Sequence, residues 1–295
     1  MSNDTIFLEV NGLRFRALVA GSGEPVLCLH GFPDHYESFR YQLPVLAECG
    51  YRAVAPMMRG YEPSSQPGRD VAAHHPMRLA HDAIAWARSL GNGRPIHLVG
   101  HDWGAVAGAL ACLLEPSLFR SYTSVAIANF QAVEDGIRNH PVQLRNSWYM
   151  LFFQLRGLSD WVVARNDFAF IEKLWRDWSP GWVWEPEAMA SLKQTFGQPG
   201  VRWSALAYYR AMLNPFLEDS QRVRALSRAE TRVPTMTVTG ALDGCMDTRL
   251  FDYLDPALYP KGLRQERIEG AGHFAHQEKP EEFNRLLLDW LEARL

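Results

Sequence analysis

The sequence predicts an α/β fold: a mostly parallel, twisted sheet with helices on both faces and an inserted helical cap. Three observations carry this. Short apolar runs alternate with amphipathic helical stretches through residues 25–128 and again after 234, which is the rhythm of a doubly wound sheet. Between about Val133 and Ser227 no clean strand is found. That span holds Trp148, Trp161, Trp175, Trp178, Trp182, Trp184 and Trp203, seven of the ten tryptophans. Finally, Leu98-Val99-Gly100-His101-Asp102-Trp103-Gly104 reads as a buried strand turning sharply into a helix and lifting Asp102 into a cleft. The organisation expected is a core of residues 1–132 and 228–295 with residues 133–227 as the cap.

In chain order, Phe7–Val10 and Leu13–Val19 read as a hairpin turned by Asn11-Gly12, a pair suited to a type I′ turn. Pro25–Leu29 is an apolar run and hence a central strand ending at His30-Gly31-Phe32-Pro33. Ser38–Gly50 predicts an amphipathic helix, Tyr51–Pro56 a strand, and residues 77–90 a helix. Ile96–Val99 is short and apolar enough for a buried parallel strand. The small residues of Ala105–Leu114 let the following helix approach it closely. Tyr122–Ala128, Pro234–Gly240 and Arg264–Glu269 complete the strands, and Pro280–Leu295 is a final amphipathic helix.

A net charge of −3 with 47% hydrophobic and 21% charged residues describes a globular chain with ample core. It gives no reason to expect nucleic acid or a membrane as partner. Met1-Ser2-Asn3-Asp4 lacks the basic and apolar regions of a leader, so a cytoplasmic location is expected. Cys28, Cys49, Cys112 and Cys245 show no C-x-x-C spacing and read as reduced thiols, with Cys245 near enough to a candidate catalytic loop for some reactivity. His74-His75 reads as a solvated loop pair and His276 as a helix-start residue. No spacing resembles a metal site, and no cofactor is expected.

The chemistry gathers at strand ends. Asp102 stands where a serine nucleophile is common, and a carboxylate is already ionised at neutral pH. It suits displacement at saturated carbon better than attack on an amide. Asp243 follows Thr239-Gly240-Ala241-Leu242, and His273 lies in Gly270-Ala271-Gly272-His273-Phe274. The order nucleophile, acid, histidine is that of a strand-end triad, and ligands of such sheets bind beyond the carboxyl ends of the strands.

These residues, together with His30-Gly31-Phe32-Pro33 and Arg59-Gly60-Tyr61, resemble an α/β-hydrolase of the epoxide hydrolase group, the aspartate-nucleophile branch that includes the haloalkane dehalogenases. The resemblance covers nearly the whole chain. It implies an α/β-hydrolase fold and a covalent alkyl-enzyme ester on Asp102, hydrolysed by water that His273 and Asp243 activate. It also implies an oxyanion hole from the backbone N–H groups of Phe32 and Trp103. Tyr149-Met150-Leu151-Phe152-Phe153-Gln154 and Ala207-Tyr208-Tyr209-Arg210 resemble the family's two cap segments. They imply Tyr149 and Tyr209 as acids for the epoxide oxygen, with Tyr208 a competitor for the second place. Phe32, Trp103 and Trp148 are the expected substrate contacts, and a small apolar or aromatic molecule plus water the expected partners. A dehalogenase using Trp103 as halide donor, or a binding protein on the same fold, are the other readings these residues allow.

Overall fold

A computed structural model describes residues 4–294; Met1–Asn3, on which the reading of the leader partly rests, and Leu295 lie outside the described residues. The strands are β1 (Asp4–Val10), β2 (Leu13–Ala20), β3 (Glu24–Leu29), β4 (Tyr51–Pro56), β5 (Ile96–His101), β6 (Phe119–Val125), β7 (Thr235–Gly240) and β8 (Leu263–Ile268). The core helices are α1 (Gln42–Glu48), α2 (Pro76–Gly91), α3 (Trp103–Leu114), α11 (Ala275–Glu278) and α12 (Pro280–Glu292). Between β6 and β7 run α4 (Phe130–Gly136), α5 (Val142–Asn146), α6 (Trp148–Phe152), α7 (Leu158–Trp178, broken at Arg165–Phe168), α8 (Pro186–Gly197), α9 (Val201–Met212) and α10 (Glu218–Leu226).

The eight strands form one sheet in the order β1-β2-β4-β3-β5-β6-β7-β8. β1 and β2 pair antiparallel, as does β2 with β4, and the remaining pairs are parallel. Because β3 has β4 on one side and β5 on the other, the chain winds outward in both directions from that point. Ligands of open parallel sheets bind at such a switch. Asp102 and Phe32 follow the two strands that flank it.

Two of the differences from the predicted elements have a plain cause. The single helix expected over Ser38–Gly50 is a 3₁₀ turn at Tyr36–Phe39 followed by α1. Pro44 has no N–H and its ring would collide with a carbonyl one turn earlier, so the α-helix starts just ahead of it. β6 ends at Val125, three residues before the expected limit, since Ala126 takes a φ of +66° and turns the chain off the sheet.

The core lies on both faces of the sheet. On α12, Pro280 and the acids Glu281 and Glu282 suit a helix N-terminus. Phe283, Leu287 and Leu291, four apart, are fully buried or nearly so. Each such side chain contributes about 1.5–3 kcal/mol, and this seam holds α12 beneath the loop that carries His273.

Candidate active site

Asp102 sits between β5 and α3 with φ +50° and ψ −116°, a backbone state costly for any residue with a Cβ. The turn is enforced from both sides. A Cβ on Gly104 would lie 2.0 Å from the Leu29 carbonyl oxygen, and one on Gly100 2.3 Å from that of Gly104. The Asp102 N–H donates to Val125 and its carbonyl accepts from Val106, tying the strained residue to β6 and to α3. Asp102 Oδ1 accepts the Phe32 N–H at 2.7 Å. Trp103 opens α3, where a backbone N–H has no partner inside the helix.

His273 approaches from the loop after β8. Its Nδ1 donates to Asp243 Oδ2 at 2.9 Å, and its Nε2 lies 3.7 Å from Asp102 Oδ2. Asp243 Oδ1 accepts the N–H groups of Cys245 and Met246 at 2.7 and 2.9 Å, so the carboxylate is held at both oxygens. Burial alone would lower the pKa of the imidazole; Asp243 and Asp102 outweigh it and raise the value to about 10.

Opposite the carboxylate stand two tyrosines from the inserted helices. The Tyr149 ring lies 5.5 Å from that of Tyr209, edge-on, and Tyr209 packs 4.9 Å from Trp103 and 5.3 Å from Phe32. Tyr209 Oη has no hydrogen-bond partner among the described residues, whereas Tyr149 Oη lies 3.4 Å from Cys245 Sγ. Burial, first, and then nearby carboxylate and tyrosine or thiol neighbours push both phenols well above their ordinary pKa. Both therefore keep their protons at neutral pH. Tyr208 is used elsewhere: its hydroxyl donates to the Arg59 carbonyl at 2.5 Å.

Trp148, expected as a substrate contact, faces away. It is 41% exposed and packs on Phe152 and Phe170. One residue along a helix rotates a side chain by about 100°, so turning Tyr149 inward sends Trp148 out. Cys245 is disarmed as a nucleophile, since burial and then Asp243 and Asp102 push its thiol well above the usual range. His74 and His75 are buried rather than solvated. His74 Nδ1 bonds the Asp70 carbonyl, and His75 Nδ1 caps α2 by accepting the Met77 N–H. The Arg59 loop is a clamp: Arg59 makes a two-pronged ion pair with buried Asp82 at 2.7 and 2.6 Å.

Sequence reasoning missed how the inserted helices hold the loops of Asp243 and His273. The Trp178 carbonyl, at the end of α7, accepts the N–H groups of both Gly244 and His273 at 3.0 Å. Gln143 on α5 donates to the Cys245 carbonyl at 3.0 Å and accepts the Asp247 N–H at 2.7 Å. Beneath His273, buried Asp34, His101 and His276 bring ligand-type atoms within 4.8 Å of one another. Ser38 and Gln277 already donate to Asp34 Oδ2, and Ser38 also pairs with His276 Nε2. Burial, then neighbouring charges, lowers the pKa of His101 and His276, leaving both neutral. No spacing in the sequence signals these partners; only Gly244 beside Asp243 and Gly272 beside His273 hint that backbone packs there.

A family model for the alpha/beta hydrolase fold matches residues 24–280. Epoxide hydrolase 3 of Xenopus tropicalis is 30% identical over 97% of this chain and 77% of its own length. The chain belongs to the α/β-hydrolase family, in its epoxide hydrolase group. Epoxide hydrolase A of Mycobacterium tuberculosis is 27% identical over 96% of each chain. Among solved structures, an epoxide hydrolase of Vigna radiata superposes with a TM-score of 0.82 at 26% identity, over 99% of this chain and 98% of that one. The protein is thus a hydrolase, and its eight-stranded sheet is the one these relatives lead one to expect. In this α/β-hydrolase the candidate residues are shut off from solvent: His273 is fully buried, and Asp102, Tyr149 and Tyr209 are 5%, 4% and 2% exposed.

Proposed function

We propose that the chain opens an epoxide to a vicinal diol in two steps. Asp102 attacks a ring carbon, the carbon–oxygen bond breaks, and Tyr149 and Tyr209 donate to the departing oxygen. The product is an ester between Asp102 and the substrate. His273, oriented by Asp243, then takes a proton from water; the hydroxide attacks the ester carbonyl while the Phe32 and Trp103 N–H groups hold the oxyanion. Collapse releases the diol and restores the carboxylate, and the proton taken from water stays on His273, as before the first step. Residues 133–227 act as a cap over this chemistry.

The observation that carries the reading is a carboxylate in the turn after β5 with two buried phenols near enough for its charge to help hold their protons on. An opening epoxide needs just such an uncharged acid, because its leaving group is a strong base. The histidine environment fits the order of steps. While Asp102 is ionised its charge helps hold a proton on His273. Esterification removes that charge and lowers the His273 pKa, so its proton passes to the tyrosine that gave one up, and the imidazole is a base when water must be activated. With the site this closed, substrate entry requires the inserted helices or their side chains to part.

A second reading, dehalogenation, is favoured by one observation: the buried Trp103 indole N–H has no acceptor among the described residues, and a halide could take it. Purified protein offered small epoxides and matching haloalkanes, with diol and free halide followed together, separates the two. Diol without halide is the expected result. Halide without diol assigns the site to dehalogenation, and neither product overturns both in favour of a binding role.

A further inference from the structure

The inserted helices present to solvent a side that the chemistry does not use. Along α5, α6 and the start of α7, Gln143, Tyr149, Phe153, Ser159 and Val163 are buried. Between them Leu144, Trp148, Leu151, Leu155, Leu158 and Trp161, three or four residues apart, face outward, at 41% exposure for Trp148 up to 70% for Leu151. Scattered surface hydrophobics need no explanation, but six large ones at helical spacing along one segment mark a contact surface.

The charge around this run is one-sided. Arg138, Arg145, Arg156 and Arg165 are exposed. Among the described residues none of the four lies within ion-pair distance of a carboxylate. Arg165 instead lies over the Trp161 ring, 4.3 Å from its centre. The one acid between residues 136 and 166, Asp160, is largely buried and neutralised by Arg210 at 2.6 Å, and the acids that flank the segment are paired elsewhere, Glu134 and Asp135 with Arg228 and Asp167 with Lys193. The chain's overall charge of −3 conceals this local basic surplus.

We propose that this outer side of the inserted helices docks on an anionic lipid surface, with the leucines and tryptophans at the acyl boundary and the arginines among the headgroups. Leucine and tryptophan beside arginine is the composition of helices that lie in a membrane interface, and negative headgroups complement the unpaired guanidinium groups. A second copy of the chain fits less well, since a two-fold contact through this patch would bring arginines against arginines.

The test is co-sedimentation of the full chain with vesicles of phosphatidylcholine alone or mixed with phosphatidylglycerol, at low and high salt. Two double variants accompany it, Arg145→Gln with Arg156→Gln and Leu151→Ser with Leu155→Ser. All four positions are exposed and outside the catalytic machinery, and thermal melting checks that both variants fold. Binding to the phosphatidylglycerol vesicles that salt weakens is expected, with about fivefold lost per arginine removed and a comparable loss for the leucine pair. Absence of binding, or binding unchanged in both variants, overturns the proposal. So does a concentration-dependent dimer in sedimentation velocity that Leu151→Ser with Leu155→Ser abolishes, which gives the surface to a second copy.

Discussion

Asp102, Asp243 and His273 stand on loops just beyond β5, β7 and β8, while Tyr149 and Tyr209 reach the same space from α6 and α9. The first wall is set by sheet register and by glycines that admit no Cβ, such as Gly104 against the Leu29 carbonyl. The second wall is set by aromatic edges, with Tyr209 touching Trp103, Phe32, Phe153 and Tyr149. A hydrogen-bonded strand end leaves a side chain few choices. A ring packed among rings leaves it several. The difference predicts that substitutions on the sheet wall cost rate outright, whereas those on the helical wall divide between chemistry and stability.

The largest expected effect tests the sheet wall. Asp102→Ala should lower diol formation by about 10⁴-fold or more, measured at saturating epoxide. His273→Gln should still form the ester and then stall. Intact-protein mass should rise by one substrate, in proportion to enzyme. Normal turnover in His273→Gln would remove the imidazole from the mechanism and make the two walls equivalent.

On the helical wall the effect should be smaller and uneven. Tyr209→Phe and Tyr149→Phe should each slow ester formation by about 10²-fold, read as the single-turnover rate in a His273→Gln background. Tyr208→Phe, one residue away, should leave that rate within about twofold and instead lower the melting temperature, through loss of a buried bond worth about 1 kcal/mol. If Tyr208→Phe and Tyr209→Phe behave alike, the second wall is packing alone.

The same contrast decides what was legible in the sequence. Asp102, Asp243 and His273 could be read because each sits at a strand end beside glycine, and the order of the three is a topological signature. Tyr149 and Tyr209 came only from resemblance, since nothing in the spacing Tyr208-Tyr209 says which ring turns inward. Trp148 turns outward for the same reason: its orientation is set by the helix phase that Tyr149 adopts. His74 and His75 are polar and next to each other, which suggests solvent, but Trp203 and Ser220 cover them from the inserted helices. Gln143 and the Trp178 carbonyl make tertiary contacts to residues far along the chain, and a backbone carbonyl carries no sequence signal at all.

Acid should expose a further contrast within the sheet wall. His273 has a raised pKa, so it favours the folded state most below about 6.5, a contribution lost as pH rises toward about 10. His30 and His276, held near 3, and His74, His75 and His97, held near 4, are shifted the opposite way by burial. Below about pH 6.5 the unfolded chain takes up protons that these folded histidines refuse. Each such residue then costs about 1.4 kcal/mol per pH unit. Melting temperature should therefore fall steeply from pH 6.5 toward 4. A flat profile there would mean these histidines are hydrated in solution.

Cys245 is where the two walls meet, and it carries the smallest predicted effect. Its N–H holds Asp243 Oδ1, its carbonyl takes the Gln143 amide, and its sulfur faces Tyr149 Oη. The first two bonds are made by backbone and survive any side-chain change; only the third depends on the thiol. Cys245→Ala should thus slow ester formation by about twofold, since a bond to sulfur is worth less than the usual 0.5–1.5 kcal/mol. Cys245→Ser should restore the rate, because a hydroxyl can orient the phenol in the same way. Ester hydrolysis, followed as decay of the accumulated adduct, should be unchanged in both, for Asp243 keeps its backbone donors. Slower hydrolysis in Cys245→Ala would show that the helical wall steadies the acid loop through this side chain, and the separation of the two walls would fail at that point.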